Sequence, residues 1–238
     1  MWQANVFTIF PNAFPGNLGV SLVGKALELK KWRLNLVDLK KFPVKNSSTA
    51  DRIDSAPCGG GVGMVLSPTV FEKAFNTLPE NEKKWKKIYF SPRGRAITQS
   101  DLHDFSRQPG ITMLCGRYEG VDQRIIDFYE MEEISAGDFV LLGGEVAAMM
   151  TIEGCVRLLP EVVGNSDSVG DDSFQNHLLE HNQYTKPATF NGLPVPDVLL
   201  SGNHQEIRKF RQRQSHEITQ QRRPDLWAKY VELMMGII

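Results

Sequence analysis

Short apolar runs rich in β-branched and aromatic residues alternate, over the first 160 residues, with stretches whose apolar positions recur every three to four. Val6 to Phe10, Leu34 to Leu39, Lys87 to Phe90, Ile111 to Leu114 and Phe139 to Leu142 predict strands. Ser21 to Leu29, Pro68 to Asn76, Ser100 to Ser106, Val121 to Tyr129 and Glu145 to Leu159 predict helices, the last stopped by Pro160. This alternation predicts an α/β fold, a parallel sheet with helices on both faces. Several strands run into Ser-Pro or glycine turns, at Ser91-Pro92-Arg93-Gly94, Gly116 and Gly143-Gly144. Ligands of open α/β sheets gather at such carboxyl ends.

After Pro160 the pattern breaks. Residues 161–172 carry glycine, asparagine, serine and aspartate with almost nothing to bury, the composition of a linker. Beyond it the chain turns helical and basic, with helices predicted over Asn203 to Gln214 and Asp225 to Met235. The expected organisation is a domain over 1–160, a flexible interdomain linker over 161–172, and a small all-α domain over 173–238.

Composition narrows the class. Hydrophobic residues make up 41% and charged residues 23%, ordinary for a globular chain. With a formal net charge of -1, any nucleic-acid surface must come from local clustering. Arg208, Lys209, Arg211 and Arg213 form such a cluster on a helix whose Ile207 and Phe210 face inward, and Arg222-Arg223 follow. Cys58, Cys115 and Cys155 are odd in number and widely spaced, which fits reduced thiols. The opening Met1-Trp2-Gln3-Ala4-Asn5 lacks a secretory pattern, and no apolar run approaches the ~18 residues of a membrane span, so a cytoplasmic protein with no membrane partner is expected.

Four glycine-bearing segments are candidates for chemistry. Gly59-Gly60-Gly61-Val62-Gly63-Met64 is neither a P-loop, lacking Gly-Lys-Ser/Thr, nor a dinucleotide fingerprint, lacking a preceding strand. Alone it reads as a loop. Tyr89-Phe90-Ser91-Pro92-Arg93-Gly94, Cys115-Gly116-Arg117-Tyr118-Glu119-Gly120 and Ser135-Ala136-Gly137-Asp138-Phe139-Val140-Leu141-Leu142-Gly143-Gly144-Glu145 each follow or include a predicted strand. Three such turns in one sheet can converge and offer backbone N–H and C=O groups to a flat heterocycle.

The set C-G-R-Y-E-G, G-D-F-V-L-L-G-G-E, D-S-F and L-L-S-G-N-H-Q-E-I-R resembles the bacterial tRNA guanine-37 N1-methyltransferase family from residue 1 to about 225, in the family's order. The resemblance implies a SPOUT fold, whose parallel sheet ends in a C-terminal trefoil knot. It implies S-adenosylmethionine as methyl donor, the tRNA anticodon stem-loop as substrate, and a homodimer with its active site at the subunit interface. Mg2+ is an accompanying expectation with no ligand set attached, and no metal-type residue spacing is present. Carried over by motif, cofactor-binding residues would be Tyr89, Phe90, Ser91, Pro92, Gly116, Tyr118, Glu119, Ser135, Ala136, Gly137, Phe139, Leu141, Gly143 and Gly144. Substrate contacts would come from Gly59, Ser168, Glu180, Arg208, Lys209, Arg211 and Arg213.

The chemistry asks for two further groups. N1 of guanine carries a proton and must lose it to attack a methyl, which calls for a carboxylate base. The charge that grows on O6 calls for a guanidinium or similar donor. The resemblance nominates Asp172 and Arg157. From residues alone, Asp172 reads as the N-cap of a following helix, and Arg157 as a cation at a helix C-terminus. The chain departs from the family at Ala56, Cys58, Ala136, Phe139, Ala147 and Glu180. Three rival readings use other features: Pro57-Cys58 as a covalent nucleophile toward a pyrimidine, the basic tail as an RNA-binding module without catalysis, and a nucleotide hydrolase, which the absent P-loop lysine disfavours.

Overall fold

A computed structural model describes residues 1–44, 52–163 and 172–236. It divides into two compact units, Met1–Gly164 and Asn165–Ile238. Most of the predicted linker, Ser168 included, lies outside the described residues.

The first unit is built on five parallel strands, β1 (Trp2–Thr8), β2 (Trp32–Asp38), β5 (Lys86–Ala96), β6 (Gly110–Leu114) and β7 (Glu132–Ser135), in the order β2-β1-β6-β5-β7. Two-residue strands β3 (Asp54–Ser55) and β4 (Val65–Leu66) pair separately. Helices α1 (Ser21–Glu28), α2 (Pro68–Phe75), α3 (Gln99–Arg107), α4 (Gln123–Phe128) and α5 (Glu145–Arg157) connect or follow them. The period-2 alternation of the strands sorts their side chains into two cores. Ala4, Val6, Ile88, Phe90, Ile111 and Met113 pack with α1, α3 and α5, while Phe7, Tyr89 and Leu114 pack with α2 and α4. Helices therefore cover both faces. The second core is aromatic: Phe7, Phe71, Phe75 and Tyr129 lie with ring centroids 4.7–6.2 Å apart.

Local signals start the helices. Pro68 opens α2. At α3 the Thr98 hydroxyl accepts from the Asp101 N–H and the Asp101 carboxylate accepts from the Thr98 N–H, a reciprocal box. At α4 the Asp122 carboxylate accepts from the Arg124 N–H.

One strand expectation is corrected. Phe139 to Leu142 is not a strand but an open loop, its four side chains 40–91% exposed. Gly137, at φ 152°, and Gly143 flank it. The fifth strand is Glu132–Ser135 at the sheet edge, where Glu132 and Glu133 pair with Lys86, Arg95 and Arg93. Charged side chains are how edge strands avoid unwanted pairing, and those charges hid the strand from a hydrophobic pattern.

The second unit holds α6 (Asp197–Leu200), α7 (His204–Arg222) and α8 (Pro224–Met234), with Asn203 capping α7 through the Gln205 and Glu206 N–H groups. It is not all-α. An antiparallel pair, β8 (Thr189–Phe190) and β9 (Leu193–Pro194), turns through Asn191-Gly192 at φ 49° and 81°, the dipeptide that favours two-residue hairpins. Among the described residues no α-helix directly follows Asp172, contrary to expectation: residues 175–177 form a short 3-10 turn broken at Asn176. The Ser173 hydroxyl there accepts from the Glu180 N–H at 3.0 Å.

Candidate active site

The three glycine-bearing turns meet at the carboxyl end of the sheet. Strand β5 leaves the ladder at Phe90 and re-enters at Arg95, both opposite Ile134. The four residues between, Ser91 to Gly94, bulge outward. A side chain at Gly94 would lie 2.4 Å from the Glu133 backbone, so this bulge needs glycine. After β6 the chain turns through Gly116-Arg117-Tyr118, and after β7 it sweeps through the 137–142 loop and returns. There Arg117 bridges Gly143, and the Gly144 N–H donates to the Gly116 carbonyl at 3.1 Å. A Cβ on Gly144 would sit 2.8 Å from the Cys115 Cα, so this closeness also depends on glycine.

Between these turns lies a cavity of about 480 Å³, within the usual range for small-molecule sites. Tyr89, Phe90, Ser91 and Pro92 line it from the bulge, and Gly116, Tyr118 and Glu119 from the second turn. Ser135, Ala136, Phe139, Leu141, Gly143 and Gly144 line it from the third. Gly137 does not line it. The Ser135 hydroxyl donates to the Gly137 carbonyl and accepts from its N–H, which folds that turn behind the wall. Burial raises the Tyr89 pKa, with the Arg93 charge opposing it.

A network the sequence did not suggest holds the wall together. Glu145, 2% exposed at the start of α5, accepts from the Arg117 guanidinium at 3.0 and 2.9 Å. Its other oxygen accepts from the Thr8 hydroxyl at 2.7 Å. Arg117 also donates to the Leu142 carbonyl at 3.4 Å and stands 4.5 Å over the Phe10 ring. One buried carboxylate thus ties β1, the 116–118 turn and the 142–145 turn to each other. Arg117 and Glu145 stand within the quoted motifs, but nothing near Thr8 in the sequence marks it. Arg93, within the 89–94 turn, and Gln123 line the cavity as well, though neither was nominated as a cofactor contact.

The loop of four glycines is not remote from this site. The Glu119 N–H donates to the Met64 carbonyl, and a Cβ on Gly63 would strike the Glu119 side chain at 2.5 Å. Gly59, at φ 88°, is exposed on that loop. Cys58 beside it is exposed, whereas Cys115 and Cys155 are buried. Burial pushes the Cys115 thiol well up, with the Glu145 charge adding and Arg117 opposing, and burial puts Cys155 at about 12. Both buried cysteines are therefore poor nucleophiles.

Arg157 is the half-buried last residue of α5 in the first unit, and Asp172 is a half-buried residue of the second. Glu180 accepts through its carboxylate from the Gln183 amide. Arg208, Lys209, Arg211 and Arg213 are exposed along α7, with Ile207 and Phe210 half-buried as the spacing predicts. Lys209 pairs with Glu206 at 3.0 Å, and Arg213 lies 5.8 Å over the Phe210 ring. Among the described residues, no three His, Cys, Asp or Glu side chains are grouped to hold a metal ion, and no helix is long and apolar enough to cross a membrane.

Comparison with known proteins assigns the chain to a family. The family model described as tRNA (Guanine-1)-methyltransferase TrmD matches residues 2–229. A tRNA (guanine-N(1)-)-methyltransferase of Ruegeria pomeroyi is 48% identical over 231 residues, covering 97% of this chain and 94% of that one. Proteins of the same name from Roseobacter denitrificans and Caulobacter vibrioides are 49% and 48% identical, over 96% and 97% of this chain and 94% and 92% of their own. With near-complete coverage in both directions and a cavity built from the family's own motifs, this chain belongs to the tRNA (guanine-1)-methyltransferase family.

Proposed function

We propose that this protein transfers a methyl group from S-adenosylmethionine to N1 of guanine 37 in tRNA, beside the anticodon. What carries the reading is the convergence of three turns, distant in sequence, on one cavity whose lining includes nearly all the residues that the family motifs nominate. The cavity suits the cofactor. It offers apolar and aromatic surface from Tyr89, Pro92, Phe139 and Leu141, and backbone polar groups at the glycine turns. S-adenosylmethionine, when bound, supplies an electrophilic methyl on a sulfonium centre.

The chain's own groups do the rest. Asp172 accepts the N1 proton as guanine becomes nucleophilic. Its rival role, capping a helix, loses support because among the described residues no α-helix starts near it. Arg157 donates to O6 and stabilises the charge that gathers there. The 142–145 turn, held by Glu145 and Arg117, keeps the cofactor wall rigid, so alignment costs little at the moment of reaction.

Residues 173–238 form the tRNA-binding part in this reading. Arg208, Arg211 and Arg213 contact phosphates, and Lys209 joins them when it leaves Glu206. Gly59, Ser168 and Glu180 add substrate contacts beside the flipped base. A trefoil knot is supported by the chain's path, which leaves edge strand β7 and turns back against residues 116–117 before α5 begins. A homodimer is supported by Val20, Leu22, Val146 and Met150, large apolar side chains 42–62% exposed on and beside α1 and α5. The reaction belongs in the cytoplasm, where tRNA is found.

Asp172→Asn tests the proposal. Thermal stability and cofactor affinity should hold, while single-turnover methyl transfer to unmodified tRNA falls at least about 100-fold, the usual contribution of a positioned base. Unchanged turnover refutes the assignment of Asp172.

A further inference from the structure

The second unit contains a cavity of whose lining the methyl-transfer reading uses only Arg211, as a phosphate contact. It lies between the 181–188 segment and helices α6 and α7, with a volume of about 390 Å³. Val195, Leu199 and Ile207 form a half-buried apolar floor, and Tyr184, Lys186 and Arg211 stand exposed around it. No Asp or Glu lines it. Among the described residues, Lys186 and Arg211 have no carboxylate partner, whereas nearby Lys209 and Arg223 are paired with Glu206 and Asp225. Tyr184 is 43% exposed, and its hydroxyl makes no hydrogen bond among the described residues.

This combination is selective. A free phosphate needs cations but has no use for an apolar floor, and an apolar ligand has no use for two unneutralised cations. A flat heterocycle attached to a phosphodiester uses both, stacking on the tyrosine ring while a cation meets the phosphate. We propose that the groove of Tyr184, Lys186, Ile207 and Arg211 is a base-stacking subsite for one unpaired nucleotide of the RNA substrate, outside the nucleotide that is methylated. The inference rests on the tRNA-methyltransferase reading above. The subsite raises RNA affinity and fixes the register of the RNA on this unit, and it takes no part in proton or methyl transfer.

The test uses the full-length protein and an unmodified anticodon stem-loop RNA, with affinity measured by fluorescence anisotropy across a salt series. Tyr184→Leu keeps an apolar side chain but removes the stacking face, and should weaken binding about 5- to 150-fold, the usual range for one base on one aromatic ring. Its salt slope should stay the same. Tyr184→Phe should restore the affinity. Lys186→Gln should lower the salt slope by about one, the signature of a lost phosphate contact. In steady state, Tyr184→Leu should raise KM for RNA and leave kcat at saturating RNA near wild type. Far-UV circular dichroism and the thermal melt of each variant check that the second unit, where the substitutions lie, stays folded.

The proposal is overturned if Tyr184→Leu binds RNA as wild type does while staying folded. It is overturned too if a poly-glutamate peptide competes as well as RNA of equal charge, since the groove would then read charge alone. If wild type itself fails to methylate tRNA, the broader functional reading fails; if wild type methylates and the variants match its RNA affinity and KM, only the subsite falls.

Discussion

Thr8→Val removes one hydroxyl from the buried network and little else. Thr8 is fully buried and its hydroxyl makes two bonds, donating to Glu145 at 2.7 Å and accepting from the Phe10 N–H at 2.9 Å. Valine fills the same space, so the effect is polar. A carboxylate oxygen 2% exposed at the residue level loses its donor, which costs about 1.5–3 kcal/mol for a bond to a charged group. The Phe10 N–H is only partly buried and adds up to about 1 kcal/mol. The sum of about 1.5–4 kcal/mol corresponds to a fall in Tm of about 3–16 °C for a domain of this size. Thr8→Ser keeps the hydroxyl and loses one methyl, about 0.8 kcal/mol, so it should fall far less. Differential scanning calorimetry of the three proteins gives the order wild type, Ser, Val. A Val variant that melts within about 1 °C of wild type, or above the Ser variant, refutes the claim that the Thr8–Glu145 bond supports the fold.

Other expectations follow from the same geometry. Gly144→Ala keeps an allowed backbone, at φ −77°, but drives a methyl to 2.8 Å from the Cys115 Cα. The two turns must separate, and cofactor affinity measured by calorimetry should drop about 5- to 150-fold for about 1–3 kcal/mol of overpacking; unchanged affinity would mean the turns do not shape the site. Burial works to raise the Asp101 pKa, but hydrogen bonds from Arg95 and Thr98 outweigh it and hold it at about 2, below its unfolded value of about 3.9. The stability this contributes is present above about pH 4 and is lost as pH falls through about 2. Urea midpoints taken between pH 5 and 2 should therefore decline less steeply in Asp101→Asn than in wild type, and parallel declines would contradict the pairing.

Strands whose side chains are apolar were legible in the sequence. The apolar runs of β1, β2 and β6 placed them within a few residues: β1 and β6, buried on both faces, must carry such residues, and β2, half-exposed at the sheet edge, keeps enough of them to register. The fifth strand was misplaced for the opposite reason. Glu132 and Glu133 serve a charged edge, while the apolar Phe139 to Leu142 belongs to a loop beside the cavity. Hydropathy measures what a side chain could bury, not whether it does. At the site, glycines and family motifs pointed to the three turns. Thr8 was invisible, since a threonine in a strand reads as ordinary β propensity and its partner Glu145 lies 137 positions away. The hairpin at Asn191-Gly192 was legible in principle from that dipeptide, but its two-residue strands are too short to register as a periodic pattern.

The cavity walls come from segments beginning at residues 89, 116 and 135, each supported by a different strand. No short stretch of chain can form any useful part of the pocket by itself, so binding competence appears only once the whole sheet has assembled. A ligand there acts on the cooperative unit rather than on one loop: at a hundred times its Kd it would add about 2.7 kcal/mol against unfolding. Cellular supply of the small molecule thereby becomes a determinant of how long the enzyme survives, and a starved cell would lose catalyst as well as reactant.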